Sequence, residues 1–336
     1  MITSNDLISL PYTPDLSEGG IAYACRWLAG TYERMGDSPA ERLRRIAGRA
    51  AVELAIRRHL SAQAVPFEVR ERTPFSQPEH YNLALGGHRC DIISYLITRP
   101  GQVAQLHRDP ASLLQAPALI PLDQFAAEGH QPDDLYVFAF LAGGVATVQE
   151  DIKKASAAGQ TIHLMHALPE AWRRPGSWRR LESLALKSEC TEVIPVEIGG
   201  LDAQRNFVTA AYKLPPRTRI VAPQEFYSLA YIHARRLPEA RLGLHSPVQG
   251  EAYIIQPHEW RDIWIQGDQI LLAGWLTHEE FRSQATVLNT GMPTFQFAHT
   301  RTKNLLVHAE ALNPLGNLLE KVRLWEAGKT RAASSL

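Results

Sequence analysis

The sequence predicts an α/β protein: a mixed central sheet flanked by helices, with an additional C-terminal α+β part. Three observations carry this. A strongly capped helix opens at Ser38-Pro39-Ala40-Glu41. A Gly86-Gly87 pair joins two apolar extended segments. The run DLYVFAFL, from Asp134, is followed by a helical segment and then another extended one.

Taken in chain order, the stretch IAYACRWLAGTYERM (21–35) reads as a first helix. The next starts with Ser38 as N-cap, Pro39 at the first helical position and Glu41 three beyond the cap, which is a capping box. It runs to about Leu60, with Leu43, Ile46, Ala47, Ala50, Ala51 and Leu54 at helical spacing. Val65–Arg72 alternates as a strand, and Tyr81–Leu85 leads into the Gly86-Gly87 hairpin turn. On the return strand, His88–Thr98, the residues Asp91, Ile93, Tyr95 and Ile97 share one face. Asp134–Leu141 is apolar enough to be covered on both faces. With the helix Gln149–Ala158, closed by Gly159, and the strand Thr161–Leu168, it predicts a crossover within one sheet. Downstream, 192–198, 205–214 and 251–255 read as strands and Glu225–Arg236 as a helix. RDIWIQGDQILLAGWLTHEEFRSQA reads as strand, Gly267-Asp268 turn, strand, helix. The expected division is 1–170 as a core with N-terminal helices, 171–327 as the C-terminal α+β region, and 328–336 as a frayed tail.

At 336 residues, 45% hydrophobic and 21% charged, the chain has an ordinary globular composition, which excludes disordered and fibrous classes. Lys+Arg and Asp+Glu are both 35, so a bulk polybasic protein is excluded while a local basic groove is not. No apolar run reaches the roughly 18–20 residues that a membrane span needs. Met1–Pro11 carries Asp6 and no basic residue, unlike a signal peptide, so a cytoplasmic protein without a membrane partner is expected. Cys25, Cys90 and Cys190 are too scattered for a zinc site and read as buried thiols. His163 and His166 form either a metal pair or two polar residues of a core strand. Dinucleotide-fingerprint, P-loop and GxSxG patterns are absent.

The helix AAVELAIRRHL with Glu53, the hairpin YNLALGGHRCDIISYLI and the strand DLYVFAFL together resemble the PD-(D/E)XK, or restriction-endonuclease-like, superfamily over about residues 38–168. The resemblance implies a restriction-endonuclease-like core and a magnesium ion held by Glu53 and Asp91, since hard divalent ions take carboxylate oxygens. Asn82 falls at the first acid of the motif and would assist. Ile93 falls at the motif lysine, which orients water and stabilises charge on phosphate. Both are departures from the family pattern, so the resemblance implies a nucleic-acid-binding protein with an eroded nuclease centre, in bacterial defence or DNA processing. Each acid has a plainer reading: Glu53 precedes Arg57 at i,i+4, and Asp91 suits a structural salt bridge.

Six arginines fall between Arg42 and Arg58, followed by Arg70, Arg72 and Arg89, and WRRPGSWRR (172–180) interleaves bases with indoles. Arginine forks match phosphates, and indoles stack on bases. Arg45, Arg49, Arg57, Arg89, Arg173 and Arg174 are therefore candidates for binding nucleic acid, DNA before RNA. The group Trp260, Trp264, Trp275 and Phe281 reads as core or as a contact face for a protein partner. A scaffold subunit that binds no nucleic acid is the competing expectation.

Overall fold

A computed structural model describes residues 2–28, 38–69, 83–126 and 129–333. Asn82, Arg70 and Arg72 lie outside the described residues. The strands in chain order begin with β1 (Ile8–Pro11), β2 (Glu68–Val69), β3 (Leu83–Leu85), β4 (His88–Ile97), β5 (Ala118–Pro121) and β6 (Leu135–Gly144). There follow β7 (Leu164–Ala167), β8 (Ala185–Ser188), β9 (Ile194–Leu201), β10 (Phe207–Leu214), β11 (Arg219–Val221) and β12 (Ser228–Ala234). The last are β13 (Leu242–His245), β14 (Tyr253–Ile255), β15 (Arg261–Asp262), β16 (Gln266–Thr277), β17 (Thr286–Leu288) and β18 (Asn304–Val307). The helices are α1 (Pro14–Leu28), α2 (Pro39–Ala62), α3 (Pro100–Arg108), α4 (Leu122–Phe125), α5 (Gln149–Ala157), α6 (Glu170–Arg173), α7 (His278–Gln284) and α8 (Leu315–Ala333). The protein is mixed α/β. Among the described residues no helix is long and apolar enough to cross a membrane.

Two compact units form, each discontinuous in sequence: Met1–Ser17 with Gly48–Gly144 and Gln266–Leu336, and Glu18–Ala47 with Val145–Ile265. This differs from the linear division expected at residue 170. The reason is β16, which returns late in the chain to pair with β6 on one side and β1 on the other. At the C-terminus, α8 continues through Gly328 to Ala333 where a frayed tail was expected.

The first unit holds a six-stranded mixed sheet in the order β1-β16-β6-β4-β3-β2. β2, β3 and β4 form an antiparallel meander, and β4 runs parallel to β6. A parallel pair needs a crossover, and α3 lies within the connection. The sequence expectation put the crossover one element later, from β6 through α5 to β7. In fact β7 belongs to another sheet, where it pairs antiparallel with β12 and β15. Ile93, Tyr95 and Ile97 pack with Tyr136, Phe138 and Phe140 in one apolar cluster that also takes in Leu106 of α3. The Gly267-Asp268 pair is no turn. β16 runs straight through it with a bulge, and a Cβ at Gly267 would sit 2.2 Å from the Tyr12 ring, so this glycine permits close packing.

The hairpin turn is as expected. Gly86 and Gly87 both have positive φ, +60° and +92°, as a type I′ turn requires. Trp325 of α8 packs directly on Gly86, and a Cβ there would meet the ring at 2.5 Å. Gly86→Val is therefore expected to cost about 2 kcal/mol in a urea melt, combining backbone strain with overpacking. Gly176→Val, in open space, should leave the midpoint unchanged.

The second unit contains two antiparallel sheets, β10-β9-β12-β7-β15 and β11-β8-β13-β14. Ile198 and Ile232 of the first share one buried cluster with Leu186, Leu244 and Ile255 of the second, closed by Trp172, Phe226 and Trp260. The alternate residue Tyr231 instead packs with Leu28, Leu43, Trp264 and Met165 in a separate cluster, so α1 and the start of α2 cover the five-stranded sheet's other face. Coverage on both faces explains the main misreading here. The helix expected over Glu225–Arg236 is strand β12, all seven of whose residues are buried. A strand apolar on both faces loses the period-two signal. The indoles of Trp260, Trp264 and Trp275 are buried too, so they are core and not a partner-facing surface.

Candidate functional site

The site expected from sequence centres on α2 and the hairpin. The capping box of α2 is formed: Glu41 N–H donates to Ser38 Oγ at 3.3 Å, and Ser38 N–H donates to Glu41 Oε2 at 3.0 Å. Further along the helix, Arg49, Glu53 and Arg57 fall at i, i+4 and i+8, a spacing that lines them along one face. Glu53 is only 8% exposed, and Arg57 Nη2 donates to its Oε1. The plainer i,i+4 reading of Glu53 is thus present in the structure.

Asp91 is 5% exposed on β4, opposite Tyr136 of β6. Both of its carboxylate oxygens are engaged. Arg49 Nη2 donates to Oδ1 at 2.9 Å, and Gln124 Nε2, from α4, donates to Oδ2 at 2.7 Å. The α2 side chain that reaches Asp91 is therefore Arg49, while Glu53, one turn on, is held by Arg57. Ile93 is 7% exposed and packs in the apolar cluster with Tyr95 and Phe138. Burial pushes the Tyr136 phenol above its ordinary pKa, and the Asp91 and Asp134 carboxylates push the same way.

A polar and aromatic group that the sequence reading did not single out lies at the same end of β6. Tyr136 Oη and His278 Nδ1 are 2.9 Å apart, and the His278 ring stacks on Phe125 and His130 at 4.3 and 5.1 Å. His130 Nδ1 lies 3.3 Å from Asp134 Oδ2. Burial lowers the His278 pKa. The faint signal was the HEEF stretch opening α7, where Thr277 caps Glu280.

Among the described residues the arrangement does not fit a divalent cation, since no three His, Cys, Asp or Glu side chains gather as metal ligands. Asp91 already accepts two side-chain donors, Glu53 is paired with Arg57, and the position expected for the motif lysine is a buried isoleucine. The His163/His166 pair separates as well. His163 stacks on Trp264 and His233, whereas His166 Nε2 meets Tyr253 Oη at 2.9 Å. All three cysteines are buried and free.

Of the six candidate arginines, Arg49, Arg57 and Arg89 belong to the first unit and Arg45, Arg173 and Arg174 to the second. Arg49 and Arg57 are used internally, and Arg89 Nη1 donates to the Gly129 carbonyl at 2.8 Å. Arg45 is exposed on α2, and Arg174 lies 3.8 Å from Glu170. The interleaved indoles are structural: Trp172 is core, and Trp178 donates to the Ala203 carbonyl at 3.0 Å under the Arg205 guanidinium.

No family model matches the chain, and no curated protein or solved structure matches it.

Proposed function

We propose that the first unit is a restriction-endonuclease-like scaffold that binds nucleic acid without cutting it. Support for the scaffold is the element order: helix α2, meander β2-β3-β4, helix α3, then β6 parallel to β4. The observation that carries the non-cutting reading is Asp91, with both oxygens taken by Arg49 and Gln124 beside a buried Ile93. A metal at Asp91 would have to compete with the Arg49 guanidinium and the Gln124 amide for its two oxygens, and the position expected for the motif lysine carries an apolar side chain instead.

A second reading, a scaffold that binds no nucleic acid, is favoured by one observation. Arg49, Arg57 and Arg89 all spend their forks on protein acceptors.

A plasmid-cleavage assay and a mobility shift separate these. The native chain is expected to leave supercoiled DNA intact with magnesium or manganese, and to shift DNA at low salt with an affinity that falls steeply as salt rises. Asn82→Asp with Ile93→Lys is expected to gain nicking activity if the motif alignment is right. Cutting by the native chain would overturn the closed centre. Absence of any shift at low salt would leave the second reading standing.

A further inference from the structure

In the second unit, α1 and the adjoining face of the five-stranded sheet enclose a cavity of about 470 Å³. Its floor holds two buried imidazoles that use little of their hydrogen-bonding capacity. His163 is 1% exposed, its Nδ1 has no hydrogen-bond partner, and neither has His233 Nε2. The His163 ring lies between Trp264 and His233, with centroids 4.9 and 5.0 Å away. Orphaned polar atoms at this depth are costly unless something else satisfies them.

The wall above shows what chemistry the cavity accepts. Arg235 grips the Glu18 carboxylate with both arms of its fork, Nη1 to Oε1 at 3.1 Å and Nη2 to Oε2 at 3.0 Å. His163 Nε2 stands 3.4 Å from the same Oε1. One guanidinium and one imidazole thus converge on a carboxylate, and that carboxylate belongs to a half-buried side chain on α1 that can swing into water. Phe207 and Tyr231, stacked at 6.3 Å, add an aromatic side to the cavity.

We propose that this cavity is a binding site for a small planar carboxylate, whose anionic end replaces Glu18 in the Arg235 fork while its body lies against the aromatic wall. Glu18 is then a built-in competitor that occupies the fork when the ligand is absent. The cavity binds and does not react through its thiol, since burial pushes Cys25 up to about 12 and holds it protonated. Glu197 accepts from Tyr231 Oη at 3.1 Å, and Arg26 also lines the cavity, but Arg235 is the guanidinium seen holding a carboxylate there.

Benzoate is a suitable probe, with benzamide as its uncharged isostere, titrated calorimetrically into the full chain. Benzoate is expected to bind and benzamide is not. Glu18→Gln should tighten benzoate by about threefold or more, the worth of a displaced surface ion pair. Arg235→Gln should weaken it by about tenfold or more, and Arg235→Lys, which keeps the charge but loses the fork, should fall between. Arg235 is exposed and Glu18 half-buried, and a thermal melt of each variant checks that it folds. Equal binding of benzoate and benzamide, or benzoate affinity unchanged in both Glu18→Gln and Arg235→Gln, overturns the proposal.

Discussion

Asp91→Ala is expected to destabilise the first unit by about 3 kcal/mol in a urea melt. The loss comes from what is left behind. Arg49 and Gln124 both aim donors at the vacated carboxylate, and each would lose its acceptor there. Removing one member of a buried pair typically costs about 3–5 kcal/mol. Arg49 keeps a third of its side chain exposed, so water relieves part of this and the lower end applies. Replacing both partners together, Arg49→Met with Asp91→Leu, should recover most of the loss, because an apolar pair of similar volume needs no desolvated donor satisfied. A single Asp91→Ala variant as stable as the native chain would show that the ion pair holds nothing in place.

The second large effect is acid sensitivity of the second unit. Burial holds His163 at about 4 and His233 at about 3, against an ordinary 6.5, with Glu18 raising and Arg235 lowering the former. The folded chain therefore binds fewer protons than the unfolded one from 6.5 down to these values. Stability from the neutral rings is complete above pH 6.5 and is lost as pH falls toward 4 and below. For His163 alone the loss amounts to about 3 kcal/mol. Asp262 works in the opposite sense. Burial raises it from 3.8 to about 6, so acidification between those values favours the folded state and offsets part of the loss. His163→Phe, which keeps the stack between Trp264 and His233, is expected to match the native chain at pH 7. At pH 4.5 it should be more stable by about 2–3 kcal/mol. Parallel stability curves for the two chains across that range would show that His163 does not titrate between folded and unfolded states.

Local signals in the sequence carried far where the structure is local. The Ser38 and Glu41 side chains close a capping box three residues apart, and Gly86-Gly87 imposes its turn through two positive φ angles. The Glu53–Arg57 pair was likewise legible as an i,i+4 contact. What the sequence hid is long-range. The partners of Asp91 lie 42 residues before it and 33 after it, and no spacing rule points to either. The return of β16 to β6 made both units discontinuous, and nothing in the composition between them marks a border. β12 failed for a different reason: α1 covers one of its faces and the second sheet's cluster the other, so its apolar run carries no strand period. The His163–His233–Trp264 stack joins three separate segments and had no motif to announce it.

On the proposed reading Asp91 anchors Arg49 in place of holding a metal. A double-mutant cycle on Arg49→Met and Asp91→Leu, run by urea melts with and without millimolar magnesium, tests it most directly. The expected result is a coupling of about 1–3 kcal/mol between the two positions that magnesium leaves unchanged. A coupling near zero, together with a magnesium-dependent gain in native stability that Asp91→Leu abolishes, would contradict it.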